Sequence, residues 1–107
     1  MRIFELRVYT LRSPQALAFY REVICPRHLN SFPLFEIEAH GFWTAISDKK
    51  PRLHMLVSYP AWADVEEVGS RYMHSPEFAE DVRDFDATEI LGVESTILAP
   101  SASSPLR

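Results

Sequence analysis

Two of the four histidines occupy positions from which an imidazole could move a proton. His28 follows Tyr20 and Ile24 at helical spacing, so it continues the apolar stripe of a predicted helix. His74 falls in a break between two predicted helical pieces. Because imidazole titrates near neutral pH, we predict that His28, His74 and Tyr9 act on a carbonyl compound such as an enol or a quinone. The alternative is that both histidines cap local backbone or face solvent.

Aromatic side chains could complete a pocket around these groups. Rings with a few polar tips suit a small apolar or aromatic molecule. The predicted ligand-binding residues are Tyr20, Trp43, His54, Tyr59, Trp62 and Tyr72. The alternative is an ordinary small core, since an aromatic fraction of 12% describes one equally well.

The sequence lacks the motifs of hydrolytic, metal-dependent and phosphate-binding sites. The sequence has no G-x-S-x-G elbow, and its histidines form neither an H-E-x-x-H nor an H-x-H arrangement. The three glycines lie too far apart to make a phosphate-binding loop. Cys25 is the only cysteine, which excludes an internal disulfide. We therefore predict no metal and no cofactor.

Charge and hydropathy limit the partners. The formal net charge is -4 and no basic cluster is present, which argues against nucleic acid as a partner. No apolar run approaches the length of a membrane span. The chain opens on a strand-like pattern rather than on a basic, apolar leader, so we expect a cytoplasmic protein.

Strands and helices alternate in an order that would position these residues. Ser13 and Pro14 give a favourable helix start, and Pro26 is expected to end or kink that helix near Cys25. A second serine and proline pair, Ser75-Pro76, restarts the later helix. The charged residues near its end are assigned to the solvated side, namely Glu80, Asp81, Arg83 and Asp84. The predicted strands are 2–11, 36–46, 52–59 and 88–99, and the predicted helices run from 14, 61 and 76.

The resulting β-α-β-β-α-β order is that of the ferredoxin-like α+β fold, with an antiparallel sheet and both helices on one face. Residues 1–100 are predicted to form this single domain, and residues 101–107 a C-terminal arm that packs on a neighbour. In the second strand, Ala39 and Trp43 are placed on one face and His40 and Phe42 on the other, so large side chains occur on both. A chain this short cannot cover both faces, which predicts a homodimer through the sheet face without helices.

Four short stretches of the sequence are similar to a known family. They are Glu5-Leu-Arg-Val-Tyr-Thr-Leu11, Gly41-Phe-Trp-Thr44, and Glu94-Ser-Thr-Ile-Leu-Ala-Pro100 with Ser104-Pro-Leu-Arg107. In this order they closely resemble the NIPSNAP family, and the resemblance covers essentially the whole chain. It implies a dimeric α+β barrel, in which two ferredoxin-like sheets pack face to face with their helices outside.

The resemblance indicates where a ligand would bind more clearly than it indicates which reaction takes place. In the wider group of dimeric α+β barrels, ligands enter between the sheet and its own helices, and the members include cofactor-independent monooxygenases, isomerases and haem-handling proteins. We therefore expect a small-molecule site with cofactor-independent acid–base or oxygenase-type chemistry. One alternative is a non-catalytic interaction protein that works through the dimer and the arm. Another is haem binding or degradation, in which His74 resembles an axial ligand.

Overall fold

The structure is a computed structural model that describes residues 1–107. Its four strands form one antiparallel sheet in the order β2-β3-β1-β4. The strands are β1 Ile3–Leu11, β2 Glu38–Trp43, β3 Arg52–Tyr59 and β4 Ile90–Leu98. The two central strands are therefore the first and the third along the chain. This arrangement confirms the predicted ferredoxin-like α+β fold.

The helices lie on one face of this sheet. They are α1 Pro14–Phe19, α2 Cys25–Ser31, α3 Val65–Met73 and α4 Pro76–Asp81, with 3-10 turns at Phe32–Phe35 and Ala87–Glu89. The predicted caps are confirmed at both serine and proline pairs. The Ser13 hydroxyl accepts from the backbone N–H of Ala16 at 3.0 Å, and the Ser75 hydroxyl accepts from that of Phe78 at 3.1 Å.

Of the two outcomes predicted at Pro26, an end or a kink of the first helix near Cys25, the end is wrong. A π-helical turn, Tyr20–Ile24, joins α1 to α2, and the helix continues through Pro26 to Ser31. Within it the N–H of Cys25 bonds to the carbonyl of Tyr20, five residues earlier. Pro26 has no N–H to give to the α-helical pattern, and the wider turn accommodates that loss without breaking the helix. His28 is thus held on a helix, not on a loop.

The predicted alternation of the second strand is also wrong. A bulge between Ala39 and Gly41 leaves His40 without an opposite residue on β3. The extra residue moves Phe42 to the same side as Ala39, and both pack against the core beneath the helices. Trp43 then lies opposite His54 on the other side of the sheet. The strand itself is shorter than predicted.

The core fills the space between the helices and one sheet face, while the opposite face carries no helix. On the helix side, Leu11, Leu53 and Met55 are almost completely buried. The opposite face, here called the bare face, presents Leu6, Val8 and Leu56 from the two central strands and Leu98 from β4. None of the helices is long and apolar enough to cross a bilayer.

Candidate functional site

A cavity of about 600 Å³ lies between the helices and the sheet. Fourteen of its 22 lining residues are hydrophobic, a count that includes four tyrosines, and the others include two histidines, Glu5, Arg7 and Ser95. β4 forms one margin through Val93 and Ile97, whose side chains are 46% and 53% exposed. Since these two residues face both the cavity and the solvent, the cavity opens over β4.

His28 connects this cavity to a buried carboxylate. Its Nε2 lies 2.9 Å from the hydroxyl of Tyr20, and its Nδ1 lies 2.8 Å from the hydroxyl of Tyr72 and 3.2 Å from Oδ2 of Asp81. The Tyr72 hydroxyl donates to that same Asp81 oxygen at 2.5 Å, and the Ser31 hydroxyl also donates to it. His28, Tyr20 and Asp81 are 2%, 3% and 6% exposed, so these three side chains are almost completely buried.

The hydrogen bonds assign the proton of the imidazole. Because Tyr72 gives its only hydroxyl hydrogen to Asp81, its oxygen can only accept from His28. The proton of the neutral ring therefore sits on Nδ1, and Nε2 accepts from Tyr20. Burial lowers the pKa of His28 to about 4, against the opposing pull of Asp81, so the ring is neutral near pH 7.

Burial also keeps the tyrosines of this network protonated. It raises the pKa of Tyr20 well above its ordinary value, and it raises the pKa of Tyr72, with the hydrogen bond to Asp81 acting in the same direction. Both phenols can therefore donate a proton but do not exist as free phenolates near neutral pH. The neutral imidazole is the basic group of the network.

Neighbouring contacts fix the position of the dyad formed by His28 and Asp81. The ring of His28 stacks on Phe32 with 4.6 Å between centroids. From α2, the Arg27 guanidinium donates to the backbone carbonyls of Asp81 at 3.1 Å and Arg83 at 3.2 Å. The end of α4 is thereby tied to the helix that carries His28. These contacts hold the two partners although 53 residues separate them.

A second polar group lies on the sheet side of the cavity. Glu5 is buried, and its two oxygens accept from the hydroxyls of Tyr59 and Ser95, each at 2.5 Å. Burial raises the pKa of Tyr59, and the bond to Glu5 adds to that shift. Nε of Arg7 lies 3.8 Å from Glu5, so the two form a long ion pair between neighbours on one strand.

The structure brings together six of the nine residues predicted to form the site. His28, His74, Tyr9, Tyr20, Tyr59 and Tyr72 all line the cavity. His74 stands at its exposed rim, where Nδ1 donates to the backbone carbonyl of Ser70 at 2.7 Å. The haem alternative depends on this exposed histidine alone and stays a prediction. The catalytic and binding roles of all six residues likewise stay predictions.

The other three predicted residues do not line the cavity. His54 lies on the bare face because it is opposite Val8 in the regular pairing of β3 with β1. Trp43 lies opposite His54 on that face because the bulge at His40 changes the side to which the rest of β2 points. Trp62 lies in the turn before α3 and is 82% exposed. Any ligand that these residues contact would have to bind somewhere else on the chain.

Sequence reasoning missed Asp81, and the assignment of this residue to a solvated surface is wrong. Asp81 is only 6% exposed and belongs to the buried network. A signal was present, since Asp81 follows Phe78 by three residues and so shares the inward side of a short helix. Ser31 and Ser95 gave no such signal, because their partners come from distant parts of the chain.

Cys25 does not contribute a nucleophile. Its side chain is buried, and burial raises the pKa of the thiol to about 12. The thiolate is the reactive form of cysteine, and it is scarce near neutral pH at such a pKa. Cys25 is therefore a core residue.

Comparison with known proteins identifies the family. The sequence profile of the NIPSNAP family matches residues 4–105. The chain belongs to the NIPSNAP family. This match confirms the resemblance found in the sequence motifs. No curated protein sequence matches this chain.

Solved structures share the fold. A NIPSNAP family protein from Agrobacterium tumefaciens is 20% identical, with 100% of each chain covered and a TM-score of 0.75. A second NIPSNAP family protein of unknown function from the same bacterium is 22% identical over 99% of this chain and 94% of its own, with a TM-score of 0.74. A putative antibiotic biosynthesis monooxygenase from Nitrosomonas europaea is 12% identical over 95% and 93%, with a TM-score of 0.62. At these identities the likeness is one of fold.

Proposed function

We propose that this NIPSNAP protein binds a small apolar or aromatic carbonyl compound, or its enol or phenol, and removes a proton from it with His28. The observation that carries the proposal is the oriented His28–Asp81 dyad, which reaches an apolar cavity through Tyr20. A volume of about 600 Å³ is in the range of small-molecule sites, as is an apolar lining with a few convergent polar groups.

The proton would move in two coupled steps. The ligand gives its proton to the Tyr20 oxygen while the Tyr20 hydroxyl proton passes to Nε2 of His28. The ligand becomes an enolate or phenolate, and His28 becomes an imidazolium that Asp81 stabilises through Nδ1–H. The pKa of about 4 shows that the cavity by itself disfavours this cation, so the negative charge formed on the ligand has to compensate.

The dyad also borders a second space, which is open to solvent. Asp81 and Ser31 border a separate, open cleft of about 470 Å³ that is lined mainly by polar residues, among them Asn30 and Glu77. The dyad thus lies between an apolar cavity and water. Oxygenase-type chemistry would use the same deprotonation, since an electron-rich enolate or phenolate can reduce O₂ as a co-substrate.

We further propose that the protein works as a homodimer through its bare face, as a dimeric α+β barrel. Leu6, Val8 and Leu56 present an apolar surface there that the helices do not cover. Packing two such faces together would bury well over ~1,000 Å² in total, the area expected of a specific interface. The one cysteine is free, as is usual in the cytoplasm, which is the proposed location.

Binding can be tested with a variant that fills the cavity. Gly69 of α3 lines the cavity, and a Cβ placed there meets no atom within 4 Å. Thermal shifts are measured at fixed protein concentration with a panel of phenols, quinones and aromatic ketones, because a ligand of the native state raises the melting temperature. We expect Gly69→Leu to abolish the shifts and Gly69→Ala, its matched control, to keep them.

Proton transfer is tested on a ketone that binds. Loss of deuterium from its α-carbon is followed by NMR for the wild type, His28→Gln, Asp81→Asn and the control His54→Gln, whose site lies on the bare face. We expect His28→Gln to bind but to exchange at least ~100-fold more slowly, the usual contribution of a general base. Binding with unchanged exchange would leave a binding or interaction protein, and absence of any binding would refute the proposal.

A further inference from the structure

One cation in the cavity wall has hydrogen-bonding capacity that the protein does not use. Arg7 lines the cavity from β1, and its guanidinium carries five N–H donors. Its Nε is buried and has no hydrogen-bond partner. An unpaired buried donor normally costs free energy, so its presence calls for an acceptor.

The neighbouring carboxylate does not supply that acceptor. Glu5 lies 3.8 Å from Nε of Arg7, which is beyond hydrogen-bonding distance. Its two oxygens are already engaged by short bonds from Tyr59 and Ser95. The guanidinium carbon instead lies 5.1 Å from the centroid of the Tyr9 ring.

The other charges around the cavity leave Arg7 as the anion-binding group. It is the only arginine or lysine that lines the cavity. Two acids line the same space, but Glu66 is exposed to solvent, and the Glu5 carboxylate already accepts hydrogen bonds from two hydroxyls. A ligand oxygen that reaches Arg7 would therefore meet free N–H groups rather than a free carboxylate.

The position of Arg7 relative to the proton relay is favourable. Tyr9 contacts the guanidinium of Arg7, and its ring centroid lies 5.5 Å from that of Tyr20. The ring of Tyr9 thus contacts both Arg7 and the tyrosine whose hydroxyl bonds to His28. A cation in this part of the cavity wall stabilises the negative charge that develops on the ligand when the Tyr20 oxygen takes the ligand's proton.

We propose that Arg7 anchors an anionic oxygen of the ligand, so that the substrates are aromatic or apolar molecules that carry one carboxylate or acidic enol. This inference rests on the proposed function, because it concerns a ligand in the same cavity. The planar guanidinium suits a carboxylate in a two-point contact, whereas the rest of the molecule lies against the apolar wall.

The test compares ligands that differ only in charge. Binding of benzoate and 2-naphthoate, and of their neutral amides, is measured by titration calorimetry for the wild type, Arg7→Gln, Arg7→Lys and Arg21→Gln. Arg21 is an exposed arginine that pairs only with Glu22, so its variant controls for the loss of one positive charge. We expect the wild type and Arg21→Gln to bind at least one carboxylate about tenfold or more tightly than its amide, since charge-assisted bonds are the stronger ones.

Each result has a defined meaning. Arg7→Gln should lose the preference and keep the affinity for the amide, and Arg7→Lys should retain only part of it, because lysine lacks the two-point geometry. If the wild type binds acid and amide equally, or if Arg7→Gln keeps the preference, the anchor is refuted while the cavity remains a binding site. If neither acid nor amide binds to the wild type, both the anchor and the binding site are refuted. Should Arg7→Gln not fold, the wild-type comparison and Arg7→Lys still decide the question.

Discussion

Acidification should destabilise the folded protein through His28. The pKa of His28 is about 4 in the folded chain because the ring is buried, whereas an ordinary histidine titrates at 6.5. The unfolded chain therefore binds a proton at a pH where the folded chain does not. The free energy of unfolding is greatest above pH 6.5, falls as the pH drops from 6.5 towards 4, and levels off for this group below that.

The size of the effect follows from the shift. A difference of 6.5 against about 4, at about 1.4 kcal/mol for each pKa unit, corresponds to roughly 3 kcal/mol over the whole window. Between about pH 7.5 and about pH 5, where few carboxylates titrate, roughly 2 kcal/mol of this should be lost. That is a large part of the stability of a small domain.

Urea unfolding at the two pH values measures this loss. Protein concentration is held constant, because the unfolding of the proposed dimer would depend on concentration. His28→Gln keeps a polar side chain but cannot titrate, so its unfolding free energy should change much less over the same range. The pKa of His40 is also lowered by its partial burial, which makes His40→Gln the matched control, and it should retain most of the wild-type dependence. A His28→Gln protein with the full wild-type pH dependence would refute the buried, neutral state assigned to this ring.

Two further predictions concern assembly. Leu56→Glu places a charge on the bare face and should give a monomer in sedimentation at micromolar concentration, where we expect the wild type to be a dimer. Leu29→Glu, at an exposed leucine on α2, should leave the assembly unchanged. A wild-type protein that is monomeric would contradict the proposed dimer. Removal of residues 101–107 should lower the melting temperature in a concentration-dependent way if the arm packs on the partner. The deletion also removes a hydrogen bond within the chain, which Arg2 donates to the carbonyl of Arg107 at 3.0 Å. An equal loss at every concentration would restrict the arm to contacts within its own chain.

The sequence carried enough information for the architecture because its signals are local. Alternation along β1 and β3 and the two serine and proline pairs each depend on a few neighbouring residues. The two irregularities that the sequence did not specify, the π turn before Pro26 and the bulge at His40, have the same physical origin. In both places the chain accommodates one residue outside the regular pattern, and packing against the rest of the fold decides that it does so.

The site could be predicted only in part. Its tyrosines and His28 lie on stripes or strand faces that periodicity identifies. Asp81 could not be paired with His28 in advance, because the contact joins α2 to α4 across 53 residues. The missing hydrogen bond between Arg7 and Glu5 depends in the same way on Ser95, which reaches Glu5 from the last strand and is 90 residues away.

The π turn makes the site depend on the number of residues in a helix. In a regular α-helix, positions eight residues apart point roughly 80° away from each other. The wider turn at Tyr20–Ile24 reduces this offset, and the Tyr20 hydroxyl reaches Nε2 of His28. Deleting one residue there and restoring regular winding would leave the pair seven positions apart, only about 20° from each other, so the π turn acts as the equivalent of one inserted residue. A relative with a regular helix could therefore hold the same pair at a spacing of seven residues, and its tyrosine and histidine would align with Tyr20 and His28 only across a one-residue gap.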